Sequence, residues 1–146
     1  KGLPHRYEIF LKKRNITFVN DSKATSLRSA KLALENSKNI HWIVGGLPKE
    51  KDEISLNSVK KNIFKAYIIG ENTKFFKNKI YKKIKFSVTK NLKYTVKKVV
   101  KDINSFKKEK HTILLSPGAA SFDQFKNFEH RGKFFNFLVK KAGFYG

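Results

Sequence analysis

Cysteine and methionine are both absent from these 146 residues, proline occurs three times and tryptophan once, and 11 acidic residues face 33 basic ones. Without cysteine there is no disulfide framework and no thiolate metal site, which fits a reducing cytoplasm. The four histidines, His5, His41, His111 and His130, show neither an i,i+4 pairing with an acid nor H-E-x-x-H, so no metal site is expected. No apolar run approaches the roughly 20 residues that span a bilayer and no signal peptide opens the sequence, so the expectation is a cytoplasmic protein without membrane contact. Missing too are G-x-G-x-x-G, G-x-x-x-x-G-K-[ST] and the G-x-S-x-G elbow, which removes a dinucleotide fingerprint, a P-loop and a hydrolase nucleophile.

What is abundant is positive charge, a formal +22, and nucleic acid is the obvious partner for it. Yet 29 of the 33 basic residues are Lys and only Arg6, Arg14, Arg28 and Arg131 are Arg, whereas base and phosphate recognition favours the planar Arg fork. The lysines are also scattered in ones and twos. The charge therefore reads as a solvated basic surface with a general attraction for nucleotides, and no specific nucleic-acid partner is expected.

Length suits one domain over residues 1–146, and the pattern alternates along it. Tyr7–Lys12 and Ile16–Asn20 flank Lys13-Arg14-Asn15 as an N-terminal β-hairpin. Leu27, Ala30, Ala33 and Leu34 share one helical face, predicting a helix over 25–37, and Ile40–Val44 is a strand running into Gly45-Gly46. A short helix is expected near Leu56–Phe64, a buried strand at Ala66–Gly70, helical turns over Asn72–Lys79 and a weaker strand at Lys85–Thr89. From Leu92, the residues Val96, Val99, Val100, Ile103 and Phe106 recur at helical spacing; Thr112–Leu115 supplies the last strand and Phe134, Phe135, Leu138 and Val139 a final helix ending near Gly143. Such alternation specifies an α/β, Rossmann-like, mostly parallel sheet with helices on both faces. His41 and His111 fall at strand starts and read as structural.

The most informative stretch is Ser116-Pro117-Gly118-Ala119-Ala120-Ser121-Phe122-Asp123-Gln124-Phe125-Lys126-Asn127-Phe128-Glu129-His130-Arg131-Gly132. An apolar strand ends at Ser-Pro, passes through small residues that let a ligand approach the backbone, and gives way to residues that can start a helix. Lys23 and Thr25 likewise stand at the start of a helix, where free N–H groups favour an anion, unless Ser22 or Thr25 is simply its cap. Lys49, at the end of Gly45-Gly46-Leu47-Pro48-Lys49, is either a counter-ion for a carboxylate or an exposed turn residue. Asp123, Lys126, Asn127, Glu129 and Arg131 read as helix-start and structural residues rather than ligands.

The 116–132 run resembles the C-terminal loop of the Mur ligases, in particular of their D-glutamate-adding branch. Gly2-Leu3-Pro4-His5-Arg6-Tyr7-Glu8 resembles that family's junction between its central ATPase domain and its C-terminal domain, and Asn20-Asp21-Ser22-Lys23-Ala24-Thr25 its first ligand loop. The resemblance implies a piece of a longer three-domain ligase, inactive alone, whose central domain would carry the P-loop, ATP and most of the Mg²⁺ ligands. It implies catalysis with Lys23 near the transferred phosphate; D-glutamate binding by Thr25, Lys49, Ser121, Phe122 and Phe128; and nucleotide binding by His5, Arg6 and Asp21. The substrates implied are ATP, D-glutamate and UDP-N-acetylmuramoyl-L-alanine. The sequence departs from the family at Pro48, often acidic there, at Glu50, where Gly is usual, and at Gly118, more often Ala. Alternatives are the same domain of another Mur or folylpolyglutamate-type ligase, or a basic nucleic-acid-binding module.

Overall fold

The computed structural model describes residues 3–49, 55–80, 82–105 and 109–142. Six strands form one sheet in the order β1-β2-β6-β3-β4-β5, with β1 Glu8–Lys13, β2 Ile16–Asn20, β3 Ile40–Gly45, β4 Ile63–Ile69, β5 Phe86–Lys90 and β6 His111–Leu115. Only the β1–β2 hairpin is antiparallel; every other neighbouring pair is parallel. The α/β reading and the N-terminal hairpin are thus both found. Because β6 inserts between β2 and β3, the chain leaves β2 toward one side and later returns to fill the gap. That reversal opens a crevice at the carboxyl ends of β2, β6 and β3, where open α/β sheets bind ligands.

Strand side chains alternate between two buried layers. Trp42 and Val44 face one side with α1 (Leu27–Leu34) and α2 (Thr73–Ile80), while Ile43 faces the other with α3 (Leu92–Asn104) and α4 (Phe128–Ala142). Helices therefore cover both faces. Each fully buried Leu, Ile or Phe contributes roughly 1.5–3 kcal/mol, so Phe18, Leu34, Ile43 and Phe135, all at 0% exposure, are major contributors to the fold.

Several boundaries differ from the sequence reading. The first helix is shorter than 25–37, because Ser26 takes the N-cap position and accepts the Ser29 N–H; neither Ser22 nor Thr25 is the cap. The helix expected over 56–64 is one 3₁₀ turn, Lys60–Asn62, since the β-prone residues from Ile63 pair with Ile40 and extend β4. Residues 121–127 form turns, and α4 begins at Phe128, where the Asn127 side chain takes the His130 N–H. Phe106 and Gly143 lie outside the described residues, as do Gly2 and Glu50. Among the described residues no helix is long and apolar enough to cross a membrane.

Candidate functional site

Three loops leave the carboxyl ends of the adjacent strands β2, β6 and β3, and backbone hydrogen bonds join them. The Asp21 N–H donates to Leu115 O at 2.7 Å, the Gly118 N–H to Ala24 O at 3.0 Å, and the Gly45 N–H to Pro117 O at 2.9 Å. Leu47 and Ala120 exchange N–H···O bonds of 2.8 and 2.9 Å in an isolated antiparallel bridge. Gly46 makes that approach possible: its φ is +136°, and a Cβ there would collide with Ala120 O. Thr25, Lys49 and Ser121, separated widely in sequence, thus stand on loops bound to one another.

Buried polar groups stiffen the assembly. Arg131, at 1% exposure, donates from Nε to Ser22 Oγ, from Nη2 to Ser22 O and from Nη1 to Ala119 O, tying the first loop to the third. Burial depresses its pKa from 12.5 to about 10, so it remains a cation at neutral pH. The Ser22 hydroxyl in turn donates a hydrogen bond to Phe128 O at 2.7 Å. Asp21 accepts from the Tyr7 N–H and the Ser116 hydroxyl, both at 2.8 Å, and burial raises its pKa against the opposing pull of those two donors and Arg6. Trp42 donates to Ser116 O at 2.8 Å. The structural reading of Arg131 agrees with this geometry; that its partner would be Ser22, 109 residues earlier, had no local signal.

Asp21 is thus engaged within the protein, whereas four other side chains expected to meet ligands have no hydrogen bond or ion pair among the described residues. Ser121 is 2% exposed, yet its hydroxyl has no hydrogen bond among the described residues, and the same holds for the Thr25 hydroxyl. Lys49 and Lys23 are exposed and have no ion pair among those residues; Lys23 Nζ lies 4.6 Å from the centroid of the Phe128 ring. Phe122 is 67% exposed. Arg6, Asp21 and Lys23 line a pocket of about 410 Å³ with Tyr7 and the outer face of α1. Thr25, on the same loop as Asp21 and Lys23, does not line that pocket, nor do Lys49 and Ser121 on the other two loops.

His5 turns away from this pocket. Its φ is +64°, its ring lies against α4 edge-on to Phe128, and a Cβ at Gly132 would collide with it. What it presents to the first loop is its carbonyl, which accepts the Lys23 N–H at 2.9 Å. Its buried Nδ1 has no hydrogen-bond partner among the described residues. Among the described residues no group of three or more His, Asp or Glu side chains is arranged to hold a metal ion.

An α/β domain with three linked strand-end loops carrying unpaired lysines and free hydroxyls has the form of an anionic-ligand-binding domain. Comparison agrees: the chain belongs to the Mur ligase family. It is 45% identical over 141 residues to UDP-N-acetylmuramoylalanine–D-glutamate ligase of Wolbachia sp. subsp. Brugia malayi, covering 96% of this chain and 28% of that protein. It is 40% identical over 134 residues to the ligase of the same name from Rhizobium meliloti, covering 92% and 29%. Against that of Rickettsia prowazekii it is 39% identical over 141 residues, covering 97% and 32%. The chain therefore spans less than a third of the length of these relatives. No family profile matches the chain.

Proposed function

We propose that this chain is the amino-acid-binding domain, residues 1–146, of an ATP-dependent ligase that adds D-glutamate to UDP-N-acetylmuramoyl-L-alanine. The observation that carries the reading is the placement of Lys49, Thr25 and Ser121 on three joined loops, with no hydrogen-bond or ion-pair partner for their side-chain polar groups among the described residues. D-Glutamate brings two carboxylates, and each must be met by a cation or strong donor once water is excluded. Lys49 meets one as a charge; the Thr25 and Ser121 hydroxyls donate to the other. Phe122 and Phe128 supply apolar walls for the methylenes.

ATP would transfer its γ-phosphoryl group to the substrate carboxylate, giving the acyl phosphate and ADP. Arg6 and Lys23 give its binding pocket two cations, and Asp21 offers the remaining acceptor capacity of its carboxylate to a ribose hydroxyl. His5 acts on the same loop by holding the Lys23 N–H. Lys23 then balances charge on the transferring phosphate, and the deprotonated amine of D-glutamate attacks the acyl phosphate, forming the amide and releasing inorganic phosphate. Mg²⁺ would accompany ATP, held mainly by the central domain of the longer protein. The test is phosphate release by the full-length ligase with UDP-N-acetylmuramoyl-L-alanine, ATP and a panel of amino acids. D-Glutamate should be the preferred nucleophile; a kcat/KM about tenfold higher for any other amino acid refutes the reading.

A further inference from the structure

The opposite end of the sheet carries a second concave site that the ligase reaction does not use. A pocket of about 400 Å³ opens where the β1–β2 turn, the α1–β3 loop and the start of β6 meet. Lys12, Arg14, Lys38 and Lys110 line it, all four exposed and none in an ion pair among the described residues. No acidic side chain is among its lining residues. Roughly 13 Å of strand, the length of β6, separates it from the ligand loops.

Lys93, Lys97 and Lys141 edge a groove between α3 and α4 that is lined by apolar side chains, whereas the other lining residues here are Asn15, Thr17, Ser37, Asn39, His111 and Thr112, all polar. Three chain segments are fastened together beneath the cations. The Asn39 amide donates to Lys110 O at 3.0 Å, and the Asn15 amide donates to Glu109 O. The His111 N–H donates to Asn15 O at 2.9 Å, and the Ser37 and Thr112 hydroxyls share a hydrogen bond of 2.6 Å. Four like charges line this one hollow, and an anion held among them would meet attraction from each. The hollow is too compact for a duplex backbone, which needs a stripe of cations along a face.

We propose that this pocket is a second anion site that takes a compact polyvalent phosphate group, free or esterified on a small soluble molecule. The site is independent of the ligase reading. Calorimetric titration of the 146-residue chain with inorganic pyrophosphate, and separately with ADP, should detect binding that the double variant Lys12→Gln/Lys110→Gln weakens at least about tenfold. A matched control, Lys74→Gln/Lys77→Gln on the exposed face of α2, removes the same charge and should weaken it no more than about twofold. All four lysines are exposed, so both variants should fold, which thermal melting checks. Amide NMR shifts should appear at Asn15, Ser37, Lys110 and Thr112. Equal pyrophosphate and ADP affinities at this site identify the free anion; tighter ADP binding that is lost in the pocket variant identifies an esterified diphosphate. Equal weakening in the two variants, silent pocket amides, or tighter binding of duplex DNA than of pyrophosphate at the pocket would overturn the proposal.

Discussion

Acidification should destabilise this protein through His41, whose ring is fully buried between β4 and β6. Proton positions there follow from the donors. The Tyr67 hydroxyl donates a hydrogen bond to Asp102 at 2.8 Å, so His41 Nδ1–H donates to the Tyr67 oxygen at 2.9 Å and His41 Nε2 accepts from His111 Nδ1–H at 3.0 Å. A second proton on His41 would sit on Nε2 and face the His111 N–H. Burial first, then the charges of His111, Lys65 and Lys85, lower the His41 pKa from 6.5 to about 3, with Asp102 opposing. The folded pKa lies below the unfolded one, so the unfolded chain holds the extra proton. The contribution is complete above pH 6.5 and is lost as pH falls toward about 3. Between about pH 7 and 4.5 the loss is about 2.5 kcal/mol, or roughly 5–10 °C in Tm for a domain of this size. Asp21 and Asp102 titrate as well, so the informative quantity is the difference between the wild type and His41→Gln, which retains hydrogen-bonding groups but does not titrate. Thermal melts of both at the two pH values make the comparison. If both lose the same Tm, or if the His41 C2–H resonance titrates near 6.5, the argument is refuted.

In the full-length ligase, Lys49→Ala should lower kcat/KM for D-glutamate by about 10- to 150-fold, the equivalent of one charge-assisted hydrogen bond, and leave the KM for ATP near wild type; unchanged D-glutamate kinetics would remove Lys49 from the pocket. Lys23→Ala should instead depress kcat with little change in the D-glutamate KM, because its proposed partner is the phosphate; steady-state kinetics with each substrate varied separates the two. Arg131→Met should leave Ser22 O and Ala119 O without their donor and cost roughly 2–4 kcal/mol, read as a Tm decrease, with Arg131→Lys recovering part of it; a variant as stable as wild type would show that the clamp contributes nothing.

Local chemistry made much of this fold legible. The hairpin, the four parallel strands and α3 follow from periodicity that each segment carries in itself, and the small-residue run after β6 marked a strand-end loop, whose Ala120 lies so close to Gly46 that a Cβ on Gly46 would collide with its carbonyl. Where the reading missed, the deciding partner was distant. The segment near Leu56 looks helical by spacing, but Ile63 has a partner in Ile40 that no local window contains. His41 and His111 were legible as structural residues at strand starts, whereas the chain joining them to Tyr67, Asp102 and Lys65 spans 70 residues and needs the parallel register of β3, β4 and β6 to exist. The same holds for the basic pocket. Lys12, Arg14, Lys38 and Lys110 are four among 33 basic residues in the sequence, and only the joining of three segments beneath them distinguishes them from the rest. Sequence spacing shows which side chains an element presents to one face; the order of the strands decides which elements share an edge. At the carboxyl edge that order brings together Thr25, Lys49 and Ser121, and at the other it brings together four cations.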